Sequence, residues 1–461
     1  MKNYISILLL IFCFVRSTTA QRQDYIWLFG QDMNTSAFNG YIFDFNNPPM
    51  EVTEHDNNIG IENANASICD AEGNLLFYMN GCAVMNRNFE MMDNGDSLSY
   101  DIWWDIFNKD CQRGFVGFQD NMILEHPEED QVFYIIHKPR IYNGVNTVDS
   151  IPLWYSTVNM SLNNGLGAVV EKNMVLDNSR IYLRSYLNAI HHENQRDWWV
   201  IQAPIDDSVF HTYLLDGDGF RLDQVQNSDH LQSRNRTSSS GTAKFSPDGT
   251  KYAWYNYYDQ LHIYDFDRAT GALSNHQQIH VISDPDYDRL LFSSVEWSPN
   301  SRFVYTASSE WLYQVDLWEE NIQENGVRLI DIYNGTQDPF ATTFFLMAQA
   351  PDCKIYMCPT SGTRSYHVIH RPNELGTDCN FVQNGLKLPQ LSNFGGMPNH
   401  PRFRVDEEDK CDPTLTSVFG NAVYYRRDLK VYPSPSDGRY TVLLPDEFTE
   451  GMLTIYNLEG R

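Results

Sequence analysis

A turn that begins with proline recurs three times in this chain at a fixed spacing. Pro247, Pro299 and Pro351 are separated by 52 residues each, and each opens a tight polar turn before a short apolar run that is rich in aromatic side chains. A further apolar run follows each turn, at residues 261–267, 311–317 and 366–370. The repeating unit is therefore a set of short strands joined by tight turns.

A strand-turn-strand unit that repeats at roughly 40–55 residues is typical of a β-propeller blade. One such sheet cannot bury both of its faces alone, whereas copies stacked around an axis bury the faces against each other. No long stretch of the chain carries apolar residues at helical spacing. The sequence therefore predicts an all-β protein, built as a β-propeller with few helices.

The same pattern continues upstream with less regular turns. The full series of turn positions is Gly73, Glu129, Gln195, Gly249, Ser301 and Cys353. Two gaps in the series are longer, which indicates loop insertions near residues 93–117 and 139–150. Residues 25–45 and 395–405 hold further strand-like runs, and pairing strands from both chain ends in one blade removes an open sheet edge. We therefore expect seven blades, the last shared between these two segments, with six blades as the alternative.

Residues 1–20 have the pattern of a secretory signal peptide. Lys2 precedes an apolar run at residues 5–15, and small residues lead to Ala20. The run is too short for a transmembrane helix, which needs about 20 apolar residues, and a basic start with a small-residue exit is typical of a cleaved leader. We expect cleavage between Ala20 and Gln21, with an N-terminal membrane anchor as the alternative, and no integral membrane segment in the mature chain.

The composition changes after residue 405. A charged stretch leads to Val431-Tyr-Pro-Ser-Pro-Ser-Asp-Gly, and the last residues read Ile455-Tyr-Asn-Leu-Glu-Gly-Arg. These motifs resemble the type A C-terminal sorting domain of the type IX secretion system of Bacteroidota, a small β-sandwich that opens with Tyr-Pro-Asn-Pro. Here Ser434 stands in place of the usual Asn, and Asn457 in place of the usual Asp. The matching positions of the sorting motif are Tyr432, Pro433, Pro435, Gly438 and Gly460.

This resemblance implies export through the periplasm to the medium or the outer cell surface, with the type IX machinery as a partner. Sorting domains of this type continue for several further strands, so we expect a partial β-sandwich at the C-terminus. The expected organisation is a signal peptide at 1–20, a β-propeller at 21–405, a linker at 406–428 and a partial sorting domain at 429–461.

The propeller region also resembles exported propeller-like proteins of the same bacterial group. The matching runs are Gly73-Asn-Leu-Leu-Phe-Tyr, Arg196-Asp-Trp-Trp and His370-Arg-Pro-Asn-Glu-Leu. The resemblance implies an architecture and a location, and it implies no reaction.

Charge and cysteine content narrow the classes of partner. The net charge of −27 repels nucleic-acid phosphates and anionic lipids, so we expect no nucleic-acid partner.

Of the eight cysteines, Cys13 lies in the leader, so seven remain in the mature chain. An odd number of cysteines in an exported chain requires a free thiol or an intermolecular bond. Cys69 and Cys82 flank one hairpin, and Cys353 and Cys358 flank another, but the sequence leaves the pairing open.

Acidic turns are the candidate metal sites. Asp216 and Asp218 share one turn, and Asp284, Asp286 and Asp288 share another. Carboxylate oxygens suit calcium, yet neither turn has the ligand series of an EF-hand loop, and Asp-Gly is also a common hairpin turn. We expect no cofactor, with calcium at one of these turns as the alternative.

The sequence singles out no catalytic residue. His191-His-Glu begins like a zinc-protease motif, but Arg196 replaces the second histidine of that motif and a strand follows, so a structural role is expected. Two functions stay open. The first is an exported, non-catalytic binding module with an unknown protein or glycan ligand. The alternative is a secreted polysaccharide hydrolase or lyase with paired carboxylates at the mouth of the channel.

Overall fold

The fold is taken from a computed structural model of the chain. The structure describes residues 21–405 except for 31–39, 56–58, 62, 101–110, 112–113, 115–116, 140, 143–147, 206–207, 229–240, 283–290 and 392–395. Beyond residue 405 it describes residues 424–425, 430–433 and 440–443.

Within the described residues, seven antiparallel sheets follow one another along the chain, which confirms the seven-bladed propeller. The strands of blades 1 to 3 are β1 (Ile26–Phe29), β2 (Gly40–Asp44), β3 (Glu51–His55), β4 (Ala66–Cys69), β5 (Leu75–Met79), β6 (Val84–Asn86), β7 (Asn121–Glu125), β8 (Val132–His137), β9 (Ile141–Tyr142), β10 (Val148–Ser150), β11 (Leu153–Asn159) and β12 (Ala168–Asp177). Strands β9 and β10 form a separate hairpin inside blade 3, where the sequence predicts an insertion.

Blades 4 to 7 have four strands each, in sequential order from the axis outward. Their strands are β13 (Asn188–His191), β14 (Trp198–Gln202), β15 (Val209–Asp216), β16 (Gly219–Asn227), β17 (Thr242–Phe245), β18 (Lys251–Asn256), β19 (Gln260–Asp267), β20 (Ala272–Ile279), β21 (Ser293–Trp297), β22 (Phe303–Ser308), β23 (Trp311–Asp316), β24 (Val327–Ile332), β25 (Phe344–Gln349), β26 (Ile355–Pro359), β27 (Ser365–Ile369) and β28 (Phe381–Lys387).

The inner strands are buried along almost their whole length, because both faces of each blade pack against neighbouring blades. Trp198, Trp254 and Trp297 have no exposed surface and lie in the apolar clusters between successive blades, as their positions beside the repeat turns predict. The first and last blades are in contact, since Trp27 of blade 1 packs against Tyr356 of blade 7, with 6.1 Å between ring centroids. The ring is therefore closed by side-chain packing.

The predicted turn positions recur in the structure as residues with a positive φ angle. Between the first and second strands of a blade, φ is 90° at Gly73, 59° at Gln195, 71° at Gly249, 59° at Ser301 and 65° at Cys353. In blade 3 the corresponding residue is Gln131, with φ of 69°, two positions after the predicted Glu129. The turn series is thus confirmed, with a shift in one blade.

The prediction that residues 25–45 and 395–405 share one blade is wrong for the second of these segments. Blade 1 is built from β1, β2 and β3, while residues 396–405 form none of its strands. Instead, β29 (Tyr424–Tyr425) pairs in parallel with the outer strand β3. A part of the predicted linker at 406–428 therefore supplies the outermost strand of blade 1.

Helical structure in the described residues is limited to three short turns, at Asn163–Gly165, Ile322–Gly326 and Gly376–Cys379. None of the described helices has the length and apolar character that crossing a membrane requires. The C-terminal region contributes one hairpin, β30 (Lys430–Pro433) with β31 (Tyr440–Leu443).

The cysteines pair differently from either hairpin suggestion. Cys82 is bonded to Cys111, which ties the turn between β5 and β6 of blade 2 to the segment before blade 3. Cys353 is also disulfide-bonded. Free buried thiols are present at Cys69, Cys358 and Cys379.

Candidate functional site

The axis of the propeller is filled by residues 396–405, which we name the axial segment. The side chain of Asn399 donates hydrogen bonds to the carbonyl oxygens of Asn121 and Leu187, both at 3.1 Å. Its backbone N–H donates to the carbonyl oxygen of Asn65 at 3.0 Å. These three acceptors lie at the starts of the inner strands of blades 3, 4 and 2, so one asparagine joins three blades.

Arg402 makes the equivalent contacts on the other side of the ring. Its guanidinium donates to the carbonyl oxygen of Phe245 at 2.9 Å, to Gln349 Oε1 at 2.9 Å and to Glu296 Oε1 at 2.6 Å. Its backbone N–H donates to the carbonyl oxygen of Ala189 at 3.1 Å. The acceptors belong to the inner strands of blades 5, 7, 6 and 4. Hydrogen bonds to a charged donor are stronger than neutral ones, so Arg402 fixes four blades relative to the axis.

Arg404 and His400 connect the axial segment to blades 1 and 2. Arg404 donates to both carboxylate oxygens of Asp24 at 2.6 Å each. Burial raises the pKa of Asp24, but the charge and the hydrogen bonds of Arg404 outweigh burial and hold this pKa below its usual range. His400 Nε2 lies 3.1 Å from the carbonyl oxygen of Ser67. Burial lowers the pKa of His400 to about 4, so the ring is neutral at pH 7.

The axial segment is extended, and its side chains alternate between two directions, as in a strand. Phe403 and Val405 are buried among the blades. Gly249 in a repeat turn approaches the segment closely, since a Cβ atom there would lie 2.5 Å from Val405 Cγ1. His400 and Arg402 are only partly buried and face a cavity. One side of the segment therefore packs, and the other carries polar groups.

The opposite end of the axis is covered by residues that precede blade 3. Gln119 donates to the carbonyl oxygen of Ala243 and accepts from its N–H, both at 3.2 Å. The ring of Phe118 packs edge-on against Phe345, with 4.6 Å between ring centroids. Side chains of the protein itself thus occupy the axis from both ends.

The cavity lies beside the axial segment, on the face that carries the turns between first and second strands. It is a small cavity that opens to the solvent, with about 50 Å³ accessible to the centre of a water molecule. Pro247 and Pro351, two of the three repeated prolines, border it. The axial segment supplies the largest part of the remaining wall, and the inner strands β17, β21 and β25 contribute Lys244, Glu296, Ala348 and Gln349.

One position of the repeat carries a different residue in each of these three strands. Lys244, Glu296 and Ala348 stand 52 residues apart, each three residues before a repeated proline, and all three line the cavity. Glu296 uses this position to accept a hydrogen bond from the N–H of Gln349 in the next blade, at 3.2 Å. A lysine cannot accept such a bond. The sequence analysis missed this set, although the spacing could have shown it.

Lys244 is buried, with 7% of its surface exposed. Within 4.0 Å its Nζ atom has no hydrogen-bond or ion-pair partner among the residues that the structure describes. Burial lowers the pKa of Lys244 to about 8, the charge of Glu296 raises it, and the charge of Arg402 lowers it further. A buried ammonium group without an adjacent anion is costly, so Lys244 is the uncompensated charge of this cavity.

The two carboxylates at the cavity are both compensated. Glu296 is 2% exposed in its side chain and binds Arg402, while Asp24 binds Arg404. His400 is neutral, so these residues and Lys244 sum to one positive charge at pH 7. The protein as a whole carries −27. The cavity is therefore a small positive site on an acidic protein.

The structure describes one of the two acidic turns that the sequence offers as calcium sites. Asp216 and Asp218 lie at the hairpin between β15 and β16, where Asp216 forms an ion pair with Arg221 and caps the N–H of Asp218. Burial raises the pKa of Asp216, but the hydrogen bond from Arg221 lowers it overall. The described part of the chain contains no group of three or more His, Cys, Asp or Glu residues placed to hold a metal. The other three candidates, Asp284, Asp286 and Asp288, lie outside the described residues.

The histidine pair lies at the end of β13, the inner strand of blade 4, and makes contacts within the blade. His191 stacks on Trp198 with 3.5 Å between ring centroids. His192 Nδ1 accepts a hydrogen bond from the N–H of Asn194 at 3.0 Å, inside the turn that leads to β14.

The sorting-motif and cleavage positions fall largely beyond the described residues. Tyr432 and Pro433 lie in β30 and pair with Thr441 and Tyr440 of β31. Gln21 belongs to the described propeller, and its carbonyl oxygen accepts a hydrogen bond from Arg404 at 2.8 Å. Ala20, Pro435, Gly438 and Gly460 lie outside the described residues, and cleavage and sorting remain predictions.

No family model matches the chain, and no curated protein matches it. Among solved structures, it is similar to a periplasmic gluconolactonase of Pseudomonas aeruginosa, with 10% identity over 81% of this chain and 99% of that one and a TM-score of 0.47. A protein from Lactobacillus plantarum has 12% identity over 80% of this chain and 97% of that one, with a TM-score of 0.45. A calcium-binding regucalcin of Agrobacterium tumefaciens has 11% identity over 84% and 95%, with a TM-score of 0.32. At these identities the similarity concerns the fold.

Proposed function

We propose that this protein is an exported binding module whose ligand occupies the cavity beside the axial segment. The observation that carries the proposal is the pairing of both cavity carboxylates with arginines of the axial segment. A general acid must hold a proton at its working pH, and a general base must be free to accept one. Asp24 and Glu296 are instead held as ion-pair partners.

The polysaccharide hydrolase or lyase is the less favoured alternative for the same reason. Glycosidases use two carboxyl groups with different pKa values on either side of the scissile bond. At this cavity Arg404 holds the pKa of Asp24 low, and Arg402 binds Glu296 at 2.6 Å. The described residues that line the cavity include no further carboxyl group that could serve as the general acid of such a pair.

Binding and hydrolysis are separated by one experiment on the purified full chain. An array of glycans and small metabolites is screened for binding, and the same compounds are screened for turnover. Binding without turnover supports the proposal. Turnover of any compound that is abolished in Asp24→Asn or Glu296→Gln contradicts the proposal and favours the enzyme.

Export to the cell surface is supported by the sequence alone, through the leader at 1–20 and the motif at 431–438. The chain and a variant in which Tyr432, Pro433 and Pro435 are replaced by alanine are expressed in a type IX-competent host. We expect surface delivery of the variant to be lower than that of the chain. Equal delivery of the two proteins contradicts a role of this motif in sorting.

A further inference from the structure

We propose that the ligand carries a carboxylate group and that this carboxylate pairs with the ammonium group of Lys244. This inference rests on the proposed function, because it names the chemical class that the same cavity takes. It goes beyond that function by assigning the specificity to one residue.

The first argument is the unmatched position of Lys244. It is 7% exposed, it lines the cavity, and its Nζ has no partner within 4.0 Å among the residues that the structure describes. Burying a charge is unfavourable unless it is paired. The other cations of the cavity, Arg402 and Arg404, are partly buried and have carboxylate partners inside the protein. A ligand anion would give Lys244 the charge partner that carboxylates of the protein give to the two arginines.

The second argument is the net charge of the site, which favours a monoanion. Arg402 and Glu296 cancel, Arg404 and Asp24 cancel, and one positive charge remains on Lys244. A carboxylate neutralises this charge. A phosphate dianion would leave an excess negative charge close to Glu296, whose charge already acts on Lys244. The carboxylate is therefore the better match among the common biological anions.

The third argument is the space beside Lys244. Ala348 occupies the position of the repeat that Lys244 and Glu296 occupy in the two preceding blades. A methyl group there leaves the volume that a long side chain would fill. Pro351 and Phe403 add apolar surface to the same cavity. The site thus offers one cation beside a wall of mixed polar and apolar surface, which suits a carboxylate attached to a compact group.

The groups that face Lys244 also set the pH dependence of binding. Burial and Arg402 lower the pKa of Lys244 and Glu296 raises it, with a result of about 8, while His400 and the Asp24–Arg404 pair add no net charge. A bound carboxylate favours the ammonium form and raises this pKa. Affinity is therefore expected to fall as the pH rises above about 8, and binding near that pH is expected to take up a proton.

The experiment is calorimetric titration of the purified full chain with matched probes. Benzoate and cyclohexanecarboxylate are compared with benzamide and cyclohexanecarboxamide, and with phenyl phosphate as the dianion. We expect the carboxylates to bind at least about tenfold more tightly than the amides, since a charged hydrogen bond contributes about 1.5–3 kcal/mol. Lys244→Met should remove this preference. Lys251→Met, which removes an exposed lysine of the adjacent strand β18, should retain it.

A second measurement is independent of the variants. The pKa of Lys244 is followed by NMR of the wild-type chain after ¹³C-methylation of its lysines, with and without each probe. A rise in this pKa with carboxylates and none with amides supports the inference, even if Lys244→Met does not fold.

Two results overturn the inference and are distinguishable from failure of the proposed function. Equal binding of acids and amides, unaffected by Lys244→Met, leaves a binding module without carboxylate specificity. An unchanged Lys244 pKa with every carboxylate, when the wider array still finds a ligand that binds, also rejects the inference and keeps the binding function. If the array finds no ligand and the pKa does not move, both proposals fail.

Discussion

Lys138 and Lys244 are both buried near the axis, on opposite faces of the propeller, and they differ in their partners. Lys138 Nζ lies 2.7 Å from Asp120 Oδ1 and donates to the carbonyl oxygens of Leu183 and Ser185 at 2.9 and 2.6 Å. Lys244 has no such set among the described residues. Burial alone therefore does not assign a role to a lysine. A complete set of acceptors indicates a structural role, and an empty one at a cavity indicates a ligand.

The largest expected effect comes from a cation of the Lys244 cavity that does have a partner. Arg402→Met leaves Glu296 buried without its ion pair and removes the bonds to Phe245 and Gln349. Breaking a buried pair in this way costs about 3–5 kcal/mol. We expect the free energy of unfolding to fall by about 4 kcal/mol, measured by denaturant unfolding. A loss below about 1 kcal/mol would contradict the role given to the axial segment.

A double mutant extends the test that Arg402→Met provides. Without Arg402, Lys244 is the remaining cavity cation whose charge interacts with Glu296. Adding Lys244→Met to Arg402→Met should therefore destabilise the protein further, whereas Lys244→Met alone should not. The sign reversal is read from a double-mutant cycle.

Lys138→Met tests the structural member of the comparison. It leaves Asp120 in a buried position, 6% exposed in its side chain, without a cation. The expected loss is about 3 kcal/mol of unfolding free energy, measured by denaturant unfolding at pH 7. Lys172→Met, which removes a partly exposed lysine that pairs with the exposed Asp96, is the control. An unchanged stability in Lys138→Met would remove the distinction between the two lysines.

Lys244→Met tests the functional member, and here the expected change is a gain. The pKa of Lys244 falls from 10.5 to about 8, mainly through burial. At about 1.4 kcal/mol per pH unit, this shift corresponds to about 3 kcal/mol of lost stability while the lysine is charged. The loss is complete below about pH 8 and disappears as the pH rises toward 10.5, because the unfolded chain then also loses the proton. The gain in Lys244→Met should follow this profile in unfolding measurements from pH 6 to 10.

The smallest effect belongs to an exposed lysine of the neighbouring strand. Lys251 Nζ lies 2.6 Å from Asp265 Oδ1, and both side chains are more than a third exposed. Exposed ion pairs contribute about 0–1 kcal/mol. Lys251→Met should shift the unfolding free energy by less than about 1 kcal/mol, without the pH profile of Lys244→Met. A larger shift would show that partner counting alone does not rank these lysines.

The sequence predicted the repeating parts of the fold well, because each blade solves the same packing problem. Turn residues with a positive φ fall on Gly73, Gln195, Gly249, Ser301 and Cys353, all of which were read from spacing. The prediction that residues 395–405 share blade 1 was wrong. The alternating pattern of residues 396–405 indicates an extended segment but does not specify which part of the fold it contacts.

The site was less predictable for a related reason. The contact between Arg402 and Glu296 joins residues 106 positions apart, and nothing local to either residue indicates the other. The position of Lys244 in the repeat was readable from the 52-residue spacing. The absence of a partner for Lys244 among the described residues was not readable from the sequence, because it depends on the path of the axial segment.

The axial segment also sets the order in which the fold can be completed. Arg404 and Asp24 are 380 residues apart, and the Asn399 and Arg402 bonds span the blades between them. A chain that emerges with its N-terminus first can build individual blades early, since their contacts are local. It cannot lock the ring until almost the whole propeller sequence has emerged. Contacts of such long range slow folding and prolong the exposure of apolar blade faces. The blades therefore lack the contacts that residues 396–405 supply until the last part of the propeller has been synthesised.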